Sequence, residues 1–94
     1  MSIEVSDIVI SLCGRDRGGR FLVLDVDDSY VLLADGAGRR AEKPKRKKRK
    51  HVQFYEHSAA AQQLREGKDS LTNSEIRRAL AECGAVDYTE RGRN

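Results

Sequence analysis

Apolar and polar positions divide this chain into two parts with different periods. Residues 7–12, DIVISL, form a short β-branched run bounded by Asp and Gly, which reads as a strand rather than a helix. Residues 20–26 set Phe21 and Val23 on one side of a second strand and Leu22 and Leu24 on the other, and residues 30–34 form a third strand of continuous apolar character. Between the first two lies GRDRGG, residues 14–19, a turn in which glycine accepts positive φ at little steric cost and Arg15 and Arg17 are held out towards solvent. Asp27 and Asp28 make the next reversal, and residues 35–38, DGAG, close the third strand. A short polar strand is expected at residues 39–42 and a last one at residues 51–55, HVQFY. Short strands about 10 residues apart, separated by Gly and Asp turns, are the pattern of a small sandwich or barrel.

After residue 57 the period becomes helical. Ser58 precedes AAAQQLRE and Gly67, the N-cap and stop of a short helix. Thr72 and Glu75 have the spacing of a capping box ahead of a helix over residues 73–83, with Ile76, Leu80 and Cys83 on one face and Gly84 as its stop. The expected role of this helix is to cover an open face of the sheet. Residues 88–94 are polar and expected to fray. The fold class is therefore mainly β, a small SH3-like barrel with a short C-terminal helical segment. Residues 1–55 form the barrel, including a basic connection at 39–51, and residues 56–94 form the helical segment.

Charge changes this picture more than any other feature. Residues 1–38 carry three Arg against seven Asp and Glu (minus four), residues 39–52 nine cations against Glu42 alone (plus eight), and residues 53–94 six cations against seven acids (minus one). The formal net charge of +3 hides a concentrated basic patch, KPKRKKRK at residues 43–50. Cations packed this closely repel one another, so a partner that neutralises them, first of all a polyanion, is the natural explanation. The alternative is a solvated, disordered loop.

The remaining composition narrows the chemistry. With 94 residues, no Trp, two Phe and three Tyr, the chain is expected to be one small domain without a deep cleft. Cys13 and Cys83 stand alone, without a Cys-x-x-Cys pair, and Cys13 reads as a small buried apolar residue. His51 and His57 lack clustered Cys, and Asp25, Asp27 and Asp28 have hairpin rather than metal-loop spacing, so no metal or other cofactor is expected. No nucleophile elbow, GxxxxGK[ST] loop or His–carboxylate set points to an enzyme. The opening residues do not read as a signal peptide, and no window approaches the roughly 20 apolar residues of a membrane span, so a cytoplasmic protein with free thiols is expected.

The stretch VISLCGRDRGGRFLVLDV resembles the KOW motif, an RNA-associated element of SH3-like barrels in ribosomal proteins and transcription elongation factors. The likeness continues through DDSYVLLADGAGRRAEKPKRKKRKHVQ, which is similar to the archaeal and eukaryotic large-subunit ribosomal protein group numbered fourteen and, more closely, to short bacterial KOW-domain RNA-binding proteins. It covers roughly residues 5–53, with Ser11, Gly14, Arg15, Asp16, Gly18, Asp35, Gly36, Glu42, Lys43 and Pro44 where that pattern has them. TNSEIRRAL, farther on, also resembles the bacterial relatives, which lack the long helical extension of the ribosomal proteins. The resemblance implies a KOW barrel that binds structured RNA, ribosomal RNA above all, with ribosomal association and a place in translation, through the glycine loop and the lysine-rich connection.

The chemistry of the residues fits such a partner. Lys43, Lys45, Arg46, Lys47, Lys48, Arg49 and Lys50 are expected to neutralise phosphates, a contribution driven by counterion release that carries little sequence choice. Selectivity is expected from Arg15, Arg17 and Arg20, and from Arg39 and Arg40, because a guanidinium forks onto phosphate or stacks on an unpaired base. Against this stand a local pairing of Arg15 and Arg17 with Asp16 or a neighbouring acid, and core packing in place of base stacking for Phe54 and Tyr55. A peptide-binding SH3 module is a competing class, but its groove needs aromatics this chain lacks. In a third reading the basic run is a localisation signal or a patch for an anionic membrane surface.

Overall fold

The computed structural model describes residues 2–92, with side chains described for residues 2–83. Five strands, β1 (Asp7–Ser11), β2 (Arg20–Val26), β3 (Tyr30–Ala34), β4 (Lys45–Lys48) and β5 (Val52–His57), form one sheet in the order β4-β3-β2-β1-β5 with every neighbouring pair antiparallel. Helices α1 (Ala59–Arg65) and α2 (Asn73–Gly92) follow. The architecture is mainly β, as the strand pattern indicates.

Apolar residues on both sides of β1, β2 and β3 give the sheet two buried faces. Ile8 lies opposite Leu22 and Leu22 opposite Ala34, and this row packs with Ala61 of α1, with Leu71, and with Ile76, Ala79 and Cys83 of α2. Val9, Phe21, Val23, Val31, Leu33 and Val52 bury one another on the other face, a cluster to which no helical residue contributes among the described residues. Two irregularities bend the sheet over this second cluster. The register shifts between Val23 and Asp25 in the β2–β3 ladder and between Ile8 and Val9 in the β1–β5 ladder, and each extra residue sharpens the local twist. Full burial of Ile8, Leu22, Leu33 or Ile76 contributes about 1.5–3 kcal/mol per side chain.

The helices begin where their caps place them. Ser58 Oγ accepts from Ala61 N at 3.0 Å, and Gly67, beyond α1, has φ +78°. Thr72 N donates to Glu75 Oε1 at 3.0 Å and Glu75 N to Thr72 Oγ1 at 3.1 Å, the reciprocal pair of a capping box. The far end of α2 differs from expectation, since the helix continues through Gly84 to Gly92. A single interior glycine costs a helix only about 1 kcal/mol, too little to end one flanked by helix-compatible residues. Residues 88–92, expected to fray, belong to this helix, and residues 93–94 lie outside the described residues.

The fourth strand is the main correction. Residues 39–42 are not a strand, and two of their backbone donors are taken by side chains instead of a ladder: Arg39 N donates to Asp35 Oδ1 at 2.9 Å and Ala41 N to Asn73 Oδ1 at 2.7 Å. The basic run itself supplies β4, pairing Lys45 with Leu33, Arg46 with Leu32, Lys47 with Val31 and Lys48 with Tyr30. It is therefore not a connection displayed from the sheet but the edge of the sheet, followed by a 3₁₀ turn at Arg49–His51. The free edge of β3 needs a ladder partner, and lysine-rich sequence is tolerated at an edge because most of its side chains reach water. Strands β4 and β5 occupy opposite edges and are not paired with each other.

Candidate functional site

The glycine loop is held by its own backbone. Gly18 N donates to Ser11 O at 2.8 Å, Ser11 N to Gly19 O at 3.0 Å and Gly19 N to Asp16 O at 2.9 Å. Gly14 and Gly18 take φ +80° and +85°, conformations that glycine adopts without strain. Arg15 and Arg17 are exposed, and neither pairs with Asp16. Asp16 is instead engaged by Arg39, whose Nη2 and Nε donate to Oδ2 at 2.9 and 3.2 Å. That ion pair ties the loop to the turn preceding the basic run.

Lys47 makes the second tie. Alternation along β4 points it away from Arg46 and Lys48, onto the face shared with Val31, and it is only 8% exposed. Its Nζ donates to Ser11 Oγ at 3.0 Å and to Cys13 O at 2.9 Å. Since β1 and β4 are separated by two strands in the sheet, this contact is made across the curl, and it brings the basic strand against the root of the glycine loop. Half-buried Cys13 serves here through its carbonyl, in place of the expected apolar burial.

The expected cations thus separate by what holds them. Arg15, Arg17, Lys43, Lys45, Lys48 and Lys50 make no ion pair among the described residues. Arg39 and Arg40 are paired with Asp16 and Glu42, both at 2.9 Å. Arg46 lies over the Tyr30 ring, 3.5 Å from its centroid, and Arg20 lies 5.3 Å from that of Tyr55. Arg49 is a strut, with Nε donating to Asp27 O at 2.7 Å and Nη1 to Ile3 O at 3.2 Å. Lys47 and Arg49 therefore do not stand in the solvated row that their place in the run suggests. Phe54 and Tyr55 are half-buried, and Tyr55 packs against the helix-side cluster.

Unpaired Lys43 and Lys45, ion-paired Arg39 and Arg40, and the stacked Arg46 line an open groove of about 640 Å³ between Gly38 and Arg46. Arg39, Arg40, Lys43, Lys45 and Arg46 face it, with Glu42 as its one carboxylate. Glu42 is doubly engaged: Arg40 Nε donates to Oε2 at 2.9 Å and Asn73 Nδ2 to Oε1 at 2.8 Å, and these bonds, Arg40 first, lower its pKa to about 2. This carboxylate stays ionised and Asp16 offsets Arg39, yet five cations against these two acids leave the groove with an excess of positive charge. Helix α2 contributes through Asn73, a link from outside the strand half that no local sequence pattern marks.

Tyr30 is the participant sequence reasoning missed. It lies diagonal to Arg46 across the β3–β4 ladder, a relationship that exists only once the basic run is known to be a strand in this register. Asp27 Oδ1, nearby, accepts from Tyr30 N at 2.8 Å and Ser29 N at 2.9 Å, and those bonds lower its pKa. Among the described residues no group of His, Cys, Asp and Glu is arranged to hold a metal ion, and no helix is long and apolar enough to cross a membrane. No protein-family model matches the chain, and neither does any curated protein.

Proposed function

We propose that this protein is a non-catalytic RNA-binding module, its curled sheet an SH3-like barrel of KOW type, which grips structured RNA along the groove of residues 38–46 and the adjoining 14–19 loop. What supports the reading is the groove itself, lined by five cationic side chains, of which Lys43 and Lys45 make no ion pair among the described residues, and by one carboxylate that is already occupied. Phosphates neutralise the cations there, while Arg15 and Arg17, free of Asp16, supply guanidinium forks beside them. The stacked Arg46–Tyr30 pair offers a flat cationic surface for an unpaired base. Ribosomal RNA is the partner that the sequence resemblance favours.

A titration of the protein against a ribosomal RNA fragment, an unrelated RNA hairpin, duplex DNA and anionic vesicles, each at several salt concentrations, tests this. If about five or six cations engage, affinity for RNA falls roughly a hundredfold or more between about 50 and 200 mM salt. A preference for one folded RNA that persists at about physiological salt supports the proposal. Equal affinity for every polyanion, lost along one salt slope, contradicts it and makes the basic strand a non-specific attachment patch.

A further inference from the structure

We propose that the buried ammonium of Lys47 anchors a phosphate subsite at the root of the 14–19 loop. Lys47 is the one cation of the basic strand drawn inside, and both of its acceptors, Ser11 Oγ and Cys13 O, are neutral. It makes no ion pair among the described residues, and the acid closest to it in the loop's sequence, Asp16, is held by Arg39. An ammonium has three N–H donors, of which two are used here. A buried charge without a counter-charge is costly, and a bound anion supplies both the missing charge and the third acceptor.

The glycine of this loop leaves the approach open. A Cβ on Gly14 would stand 3.6 Å from Lys47 Nζ, in contact with the ammonium, so a side chain at this position would begin to cover it. The same loop carries Arg15 and Arg17, both exposed. One embedded ammonium at the root of a loop that also carries two exposed arginines suits an anion with several oxygens and more than one hydrogen-bonding direction, which is a phosphate group rather than a lone carboxylate. The subsite needs only that group; its delivery by an RNA backbone rests on the function proposed above.

The test begins with wild-type protein, so that no variant need fold. Inorganic phosphate is titrated in by NMR at constant ionic strength, with chloride as the control. Saturating shifts of the amides of residues 13–18 and of the Lys47 ammonium, absent in chloride, are expected. No shift there, or the same shift in chloride, overturns the proposal. The Lys47→Met variant then keeps the straight stem and removes the charge. Its affinity for hairpin RNA, per folded molecule, is expected to fall roughly tenfold with a salt slope smaller by about 1, while its unfolding midpoint holds or rises. Unchanged affinity with a lowered midpoint makes Lys47 only a strut and overturns the subsite. If inorganic phosphate moves these groups and hairpin RNA does not, the subsite stands and the RNA reading falls.

Discussion

A Cβ atom on Gly36 would collide with the carbonyl oxygen of Asn73, the first residue of α2. The turn after β3 and the start of the helix are therefore in direct backbone contact, and Arg77 reinforces it by donating through Nη1 to Gly36 O. Gly36 also has φ +79°, where an L side chain is strained. Gly36→Ala is expected to destabilise the fold by about 3 kcal/mol in urea unfolding, strain and overlap together. Gly67→Ala, with φ +78° and open space around it, isolates the conformational part and is expected to cost about 1 kcal/mol. Equal costs for the two would mean that the helix does not dock on this turn.

The capping box sets where α2 begins, and through Asn73 it sets the link to Glu42. Thr72→Ala removes the oxygen that accepts from Glu75 N, and the expected loss is about 1 kcal/mol by thermal unfolding. Thr72→Ser restores the acceptor and most of the stability. A Thr72→Ala protein as stable as wild type would show that packing of Ile76 and Ala79 alone fixes the helix start.

Glu42 gives the groove an acid limit. Its carboxylate is lowered from 4.5 to about 2, first by Arg40 and then by Asn73. A depressed carboxylate contributes stability that is present above about pH 4.5 and disappears as the pH falls towards 2. Thermal midpoints measured from pH 5 to pH 2 should decline less steeply in Glu42→Gln than in wild type. Parallel declines would show that the Arg40–Glu42–Asn73 link adds nothing in solution.

His57 acts in the opposite direction. Its Nε2 lies 2.6 Å from Gln62 Oε1 and its Nδ1 2.7 Å from Asp7 Oδ1, joining β5, α1 and β1, and these two partners raise its pKa above 6.5, Gln62 more than Asp7. A raised histidine contributes stability that is full below about pH 6.5 and is lost as the pH rises through its folded value. His57→Ala should remove the decline in midpoint between about pH 6 and pH 9, and an NMR titration of the ring should give a midpoint above 6.5. A midpoint at or below 6.5 would contradict the pair of hydrogen bonds to Asp7 and Gln62.

Where the chain carries a period, its structure was legible. The β-branched run of β1 and the apolar runs of β2 and β3 end at Gly and Asp turns, and the Thr72–Glu75 spacing announces α2. The basic run has no such period: Lys45, Arg46, Lys47 and Lys48 differ little in polarity, and only the unfilled edge of β3 makes them a strand. Once they are one, alternation buries Lys47 and leaves Arg46 on Tyr30, distinctions invisible in a row of like charges. The state of Arg15 and Arg17 was equally hidden. It depends on Arg39 reaching Asp16 from 23 residues along the chain, a contact that exists only after the sheet has curled. Gly84 misled because a glycine ends a helix only when the following chain turns away, and here it does not.

The RNA-binding account is tested most directly by comparing wild type with the Arg15→Ala, Arg17→Ala double variant against one hairpin RNA across a range of salt concentrations, with circular dichroism confirming that the variant is folded. Both arginines are exposed and make no ion pair among the described residues, so the fold should persist. Affinity is expected to fall on the order of tenfold or more, with a salt slope lower by about 1 to 2. Undiminished affinity and an unchanged slope in a folded variant would contradict the account, because the basic strand would then be acting without the loop.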